Sequence, residues 1–357
     1  MIQARVCRQA AVSRWVLILS YVAASTHGFS VRTLSSSTPT TTLITFDVDG
    51  TLIKGSGTAP RDGAHAQAFG YAISQVLGDG RPVANVADVL PKHLYHGSTD
   101  GLILIRYAQA ALQVPPEQSG AQLEGLMQIM YEYIMTLDDD AVASLLTPLP
   151  GVMETLQRLA TMQQQQPQPQ DHNVMCGLVT GNVEGIARRK MKAVGIWQTG
   201  ALHPPCATQS TCWRGTQEIG FLGGFGSDYC SKDIENINRN HLDRAEQIKI
   251  AAQRCQTIVG QQTTNSMKNG GGTTPRFLHR VVHVGDAPAD ILAARAVADS
   301  EPTYCVGMVA VATGSYSAKE LDELCGTPVP GRWEPVVLEE GMKDPSAFLN
   351  ACGIDCC

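Results

Sequence analysis

Four short runs of β-branched and apolar residues constrain the fold of this chain most: Thr42–Phe46, Val174–Val179, Val281–Val284 and Tyr304–Val311. Each stops at turn residues, and helical spacing follows the second and third, over Glu184–Val194 and Ala289–Ala298. Strands this apolar need cover on both faces, which helices on either side of a parallel sheet provide. The expected fold class is α/β. In such sheets ligands sit beyond the carboxyl ends of the strands.

The span 61–146 has another texture. Ala64–Val76, Thr99–Leu112 and Ala121–Leu137 carry apolar residues at helical spacing, with no strand of comparable quality between them. This reads as an all-α insertion after the first strand, and Pro148-Leu-Pro-Gly151 marks the return to the core. The Gln/Pro tract Gln163–Gln170 and the Gly/Thr/Asn-rich Gly260–Pro275 read as surface loops. Thr199–Gly220 reads as a further insertion.

The N-terminus reads as a leader. Arg5, Arg8 and Arg14 precede the apolar run Trp15–Ala24, and a Ser/Thr-rich stretch from Ser30 to Thr42 carries one Arg and no acid. The run is short for a membrane span and fits a signal peptide. The hydroxyl-rich segment behind it resembles a transit peptide, so the expected destination is a plastid, with secretion or mitochondrial import as alternatives. The domain expectation is therefore a cleaved leader at 1–41, a core at 42–60 and 147–349, a helical insertion at 61–146, and a Cys-containing tail at 350–357. A net charge of −6 over 357 residues gives no basis for a nucleic-acid partner or an anionic-membrane surface. Stable membrane insertion of the mature chain is not expected. The eleven Cys are scattered without a Cys-x-x-Cys pair, although Cys206–Cys212 has the spacing for a redox pair.

Chemistry concentrates at three strand ends. Phe46-Asp47-Val48-Asp49-Gly50-Thr51-Leu52 brings two carboxylates to one turn, and Gly50 permits the tight bend. Asp47 can attack phosphorus and ligate a metal, and Asp49 can serve as acid and then base. The same residues also suit a plain Asp-Gly turn. Leu178-Val179-Thr180-Gly181-Asn182 can hold phosphate oxygens through Thr180 and the amides of the helix start, or can simply cap that helix. Val284-Gly285-Asp286-Ala287-Pro288-Ala289-Asp290 offers Asp286 as a hard oxygen ligand, with Asp290 one turn on. Phosphoryl transfer also needs a fixed cation. Arg244 leads, Lys249 is the runner-up, and Lys232 lies in a polar loop. His93, His96, His279 and His283 do not form a zinc site and read as structural or surface residues.

Taken in order, these motifs resemble the haloacid dehalogenase superfamily over roughly Thr42 to Leu349. In detail the chain looks like the phosphoglycolate-phosphatase-like branch, through Gly-Leu-Val-Thr-Gly-Asn182, Phe221-Leu-Gly-Gly-Phe-Gly-Ser-Asp228 and Val311-Ala-Thr-Gly-Ser-Tyr-Ser317. The resemblance implies a Rossmann-like core with an inserted helical cap domain. It also implies Mg²⁺ held by the Asp47 carboxylate, the Asp49 backbone carbonyl and Asp286, with Asp290 in support. Gly50, Thr51, Thr180, Gly181 and Asn182 are then expected around the substrate phosphate. The implied activity is hydrolysis of a small phosphorylated metabolite, 2-phosphoglycolate first among them, through an aspartyl-phosphate. Gly97-Ser98-Thr99-Asp100 departs from the family's pattern, with Ser98 where relatives carry a basic residue. The alternatives are a phosphoglucomutase-like transferase, a haloalkanoate dehalogenase and a non-catalytic binding protein on the same fold.

Overall fold

The computed structural model describes residues 40–55, 63–91, 94–95, 97–165, 172–202, 222–268 and 277–354. The expected leader, the Cys206–Cys212 pair, His93 and His96 lie outside these residues. The sheet-forming strands are β1 (Thr40–Phe46), β4 (Asn173–Thr180), β5 (Gly223–Phe225), β6 (Phe277–Gly285), β7 (Cys305–Val311) and β8 (Trp333–Leu338). They form one six-stranded sheet in the order β5-β4-β1-β6-β7-β8. All its pairings are parallel. Two further short strands, β2 (Ile53–Gly55) and β3 (Leu146–Pro148), pair antiparallel apart from it.

The strand residues alternate between the two faces of the sheet, as the pleat requires. Ile44 and Phe46 point into one cluster with Leu156 and Leu159 of α7 (Val152–Gln164), Met191 of α8 (Glu184–Ala193) and Phe348 of α12 (Pro345–Ala351). Leu43 points into the other, with Ile248 of α9 (Asn240–Lys268), Ile291 of α10 (Pro288–Ser300) and Leu321 of α11 (Ala318–Cys325). The result is a Rossmann-like sheet with helices on both faces. The described residues contain twelve α-helices, and none is long and apolar enough to cross a membrane.

The remaining six helices lie between β2 and β3: α1 (Ala64–Leu77), α2 (Val86–Val89), α3 (Asp100–Leu112), α4 (Pro116–Ala121), α5 (Leu123–Thr136) and α6 (Asp139–Ala143). They build a third apolar cluster, including Phe69, Leu104, Tyr107, Leu126 and Met130, which Val183 and Ile186 at the start of α8 join.

Several boundaries differ from the sequence reading. β1 starts at Thr40, inside the segment assigned to the leader, because His172 binds the hydroxyls of Thr40 and Thr42 at 2.8 Å each. α9 continues through Gly260 to Lys268, into a stretch expected to be loop. It is carried there by Cys255, Ile258 and Val259, which are buried against the sheet. The expected tail is folded through Ile354, since Cys352 and Ile354 are buried with Phe348. β8 went unread because Glu334 and Pro335 interrupt its apolar pattern. A sheet edge tolerates a proline, since no ladder partner waits on its outer side.

Candidate active site

β1, β4 and β6 end side by side, so residues far apart in sequence line one cavity of about 470 Å³. Asp47, Asp49, Gly50, Thr180, Gly181, Asn182, Arg244 and Asp286 all face it, and so does Lys190, which the sequence reading passed over. Thr51 is buried behind the cavity and donates its hydroxyl to Asp286 Oδ1 at 3.3 Å.

Asp47 and Asp286 belong to a buried group of carboxylates that Asp290 completes, with ligand oxygens all within 4.8 Å of one another. Arg244 reaches this group from the first turns of α9. Its Nη1 donates to Asp47 Oδ1 at 2.6 Å and to the Val179 carbonyl at 3.1 Å, and it lies 3.1 Å from Asp290 Oδ1. Asp290 is anchored in turn by His283 Nε2 at 3.3 Å and by the Ala287 amide at 3.1 Å. His283 is fully buried and reaches Thr45 through its other nitrogen, so its role is structural.

The charges follow from this packing. Burial raises the Asp290 carboxyl, but Arg244 and His283 outweigh it and hold the group below its ordinary value. Asp47 goes the other way: burial pushes it up to about 6 against the pull of Arg244. Asp286 is raised well above the usual range by burial and then by Asp47 and Asp290. Among the described residues no basic side chain pairs with Asp286, and Thr51 is its side-chain partner. An under-compensated set of hard, buried oxygen donors fits a divalent cation such as Mg²⁺, without selecting it over other hard ions.

Asp49 stands outside this group. Lys190 Nζ donates to its two carboxylate oxygens at 2.9 and 2.8 Å and to Asn182 Oδ1 at 2.7 Å. Asn182 Nδ2 adds a bond of 2.9 Å to Asp49 Oδ2 and another of 2.9 Å to Thr180 Oγ1. Burial acts to raise the Asp49 carboxyl, yet 49% of its side-chain surface stays open to the cavity. The Lys190 charge therefore decides the sign, and Asp49 is held down at about 2. One signal for Lys190 was present in the sequence: Val183, Ile186, Ala187 and Lys190 share one helical stripe, so a lysine falls among core residues.

The other expected cations lie elsewhere. Lys249 pairs with Glu246 at 3.0 Å, and Lys232 donates to the Gly120 carbonyl at 2.8 Å. Two amides expected at the phosphate are engaged as well, since Val183 donates to Asp100 and Glu184 to Ser227. Thr99 caps α3, accepting the Leu102 amide at 3.4 Å. Ser98 lines the cavity, and its hydroxyl accepts from Arg106 at 3.1 Å and Asn240 at 3.2 Å. Asp100 bridges the helical layer to the β4 turn: its amide donates to the Gly181 carbonyl at 2.8 Å, and its carboxylate faces His65 at 3.1 Å.

Gly50 turns the chain at φ 92°, where an added Cβ would stand 2.4 Å from the Asp286 carboxylate. Gly50→Ala combines a left-handed backbone with that collision. The expected loss is roughly 1–3 kcal/mol of folding stability. Urea unfolding checks it, and an unchanged midpoint would mean that the turn is not constrained as described.

Set beside known proteins, the chain matches no family model and no curated relative.

Proposed function

We propose that this protein is a metal-dependent phosphomonoester hydrolase of the haloacid dehalogenase type, with Mg²⁺ as the expected ion and α1–α6 as its cap. The observation that carries the reading is the pairing of two differently tuned carboxylates at one cavity: Asp47 beside Arg244, and Asp49 beside Lys190. Two acids two residues apart that serve one function would not need separate cations.

On this reading the Asp47 carboxylate attacks phosphorus, and Arg244 keeps it oriented and ionised for the attack. Asp47, Asp286 and the Asp49 backbone would hold the cation, with Asp290 steering Arg244. When bound, the cation neutralises charge on the transferring phosphoryl group. Thr180 and Lys190 line the same cavity and would meet the same charge. Asp49, ionised in the resting chain, is suited to activating the water that hydrolyses the aspartyl-phosphate. For the preceding step it protonates the leaving oxygen. A bound phosphate that draws on the Lys190 charge would lift the Asp49 carboxyl toward that role. The helices α1, α2, α3, α5 and α6, which wall the cavity opposite the strand ends, exclude bulk water.

The test is phosphate release by the full chain from a panel of phosphomonoesters, with Mg²⁺ or with EDTA. Metal-dependent release supports the reading. No release, together with a trapped aspartyl-phosphate, would point instead to a phosphotransferase. No release and no trapped adduct would end the enzymatic reading.

A stability measurement gives a second check. In the metal-free chain the raised Asp47 and Asp286 carboxyls bind protons more tightly when folded than when unfolded. Their contribution to stability is therefore complete below about pH 4 and is lost as pH rises through their folded values. Asp49 and Asp290, whose carboxyls are lowered, act in the opposite sense, but at pH below about 4. Between pH 5 and 8 the metal-free melting temperature should fall. The increment from millimolar Mg²⁺ should grow over the same range, because the cation replaces the protons. A Mg²⁺ increment of equal size at both pH values would count against these carboxylates as the ligands.

A further inference from the structure

The cavity extends well beyond the carboxylates, and its outer part is apolar. Phe69 of α1, Val86 of α2, Ile103 of α3, Ile134 of α5, Val142 of α6 and Leu145 just after it all line it. Five separate helices thus turn an apolar side chain to the same space. Protein interiors normally close voids larger than a water molecule, so a cavity of about 470 Å³ with this much apolar wall is a feature to be filled. Its volume, polar end included, falls in the range of ligand pockets, roughly 300–1,000 Å³.

Of the basic residues described at this cavity, all but Lys54 are held by carboxylates. Arg244 is held by Asp47 and Asp290, Lys190 by Asp49 and His65 by Asp100, while Lys54 is exposed. A short dianionic substrate would have to set its second anion at exposed Lys54, where solvent screens the charge, because burying it unpaired against the apolar wall is costly. An apolar body would gain from the same wall.

Resting on the phosphatase reading, we infer that the substrate is the phosphomonoester of an apolar alcohol, branched alkyl or aromatic, rather than a short dianionic acid such as 2-phosphoglycolate. The phosphate sits at the Asp47 end, and the body of the alcohol fills the chamber between α1, α3, α5 and α6. Hydrolysis balances as for any monoester: the P–O bond to the alcohol breaks, water supplies the new oxygen, and the alcohol leaves with a proton.

Ethyl, butyl and hexyl phosphate, kept below micellar concentrations, share nearly the same leaving group and differ in apolar length. The expected result with the full chain and Mg²⁺ is a kcat/KM that rises about fourfold for each added methylene the chamber buries. 2-Phosphoglycolate should rank below hexyl phosphate. Leu145→Arg, at a half-buried position on the wall, should shrink the hexyl-to-ethyl ratio and raise the relative rate with 2-phosphoglycolate. A flat alkyl series, or a wild-type preference for 2-phosphoglycolate, overturns the inference. If no ester is hydrolysed, the phosphatase reading fails and binding decides the inference alone. Hexyl phosphate raising the melting temperature more than ethyl phosphate keeps the apolar chamber, and equal or absent shifts overturn it.

Discussion

Asp47→Asn is expected to lower phosphate release by roughly 10⁴-fold or more, the range seen when a covalent nucleophile is removed from a preorganised site. Asn keeps the size of the side chain and can still meet Arg244, whose Nη1 stands 2.6 Å from Asp47 Oδ1 in the native chain. The fold should therefore persist, and lost activity can be read as lost chemistry. The substitution also removes one of the three clustered carboxylates and relieves part of the repulsion that raises Asp286. The metal-free variant should melt no lower than the native chain, while its response to Mg²⁺ shrinks. Rapid-quench labelling supplies the direct check. An acid-stable, hydroxylamine-sensitive phosphoryl group should form on the native chain and be absent from Asp47→Asn. A variant that retains more than a tenth of native turnover would remove Asp47 from the role of nucleophile.

Lys190→Met should carry the second-largest effect, a loss on the order of 10²–10³-fold in kcat, comparable to removing one preorganised charge from a transition state. Methionine fills similar volume at a position only 3% exposed, so packing around Ile186 and Met191 is largely kept. What disappears is the charge that holds Asp49 near 2 and the bridge from Asp49 to Asn182. Without it the Asp49 carboxyl rises, and the ionised form needed to activate water is lost at a higher pH. The acid limb of the pH–kcat profile should move upward, a signature that a merely structural lysine would not give. Lys190→Arg should recover part of the rate, because the charge returns but the fork does not match the single-point geometry of the ammonium. A Lys190→Met profile with the native limb would argue that Asp49 is positioned by Asn182 alone.

The sequence made some of this architecture legible and left some of it hidden, for reasons visible in particular residues. β1, β4, β6 and β7 could be read directly, because strands covered on both faces are largely apolar and β-branched. β5 was hidden because it is three residues long and two of them are glycine. The α9 extension was hidden because a Gly/Thr/Asn composition suggests loop, whereas Ile258 and Val259 packing on the sheet carried the helix through it.

The site divides in the same way. That Asp47, Thr180 and Asp286 stand at strand ends follows from their position in sequence, since an apolar run fixes where a strand stops and a turn residue begins. That Arg244 rather than Lys249 meets Asp47 is also set locally, by the face of α9 on which each residue falls. Lys190 is different. Its identity as the partner of Asp49 depends on α8 crossing behind a turn 141 positions away in sequence, and nothing local encodes that approach. The character of the outer cavity depends on tertiary structure for the same reason. Each of Phe69, Ile103 and Ile134 reads in sequence as an ordinary core residue of its own helix, and Val142 lies beyond the helical runs read there. Helical periodicity states only which face turns inward. Only the packing of five helices decides that these faces enclose a chamber rather than fill one another.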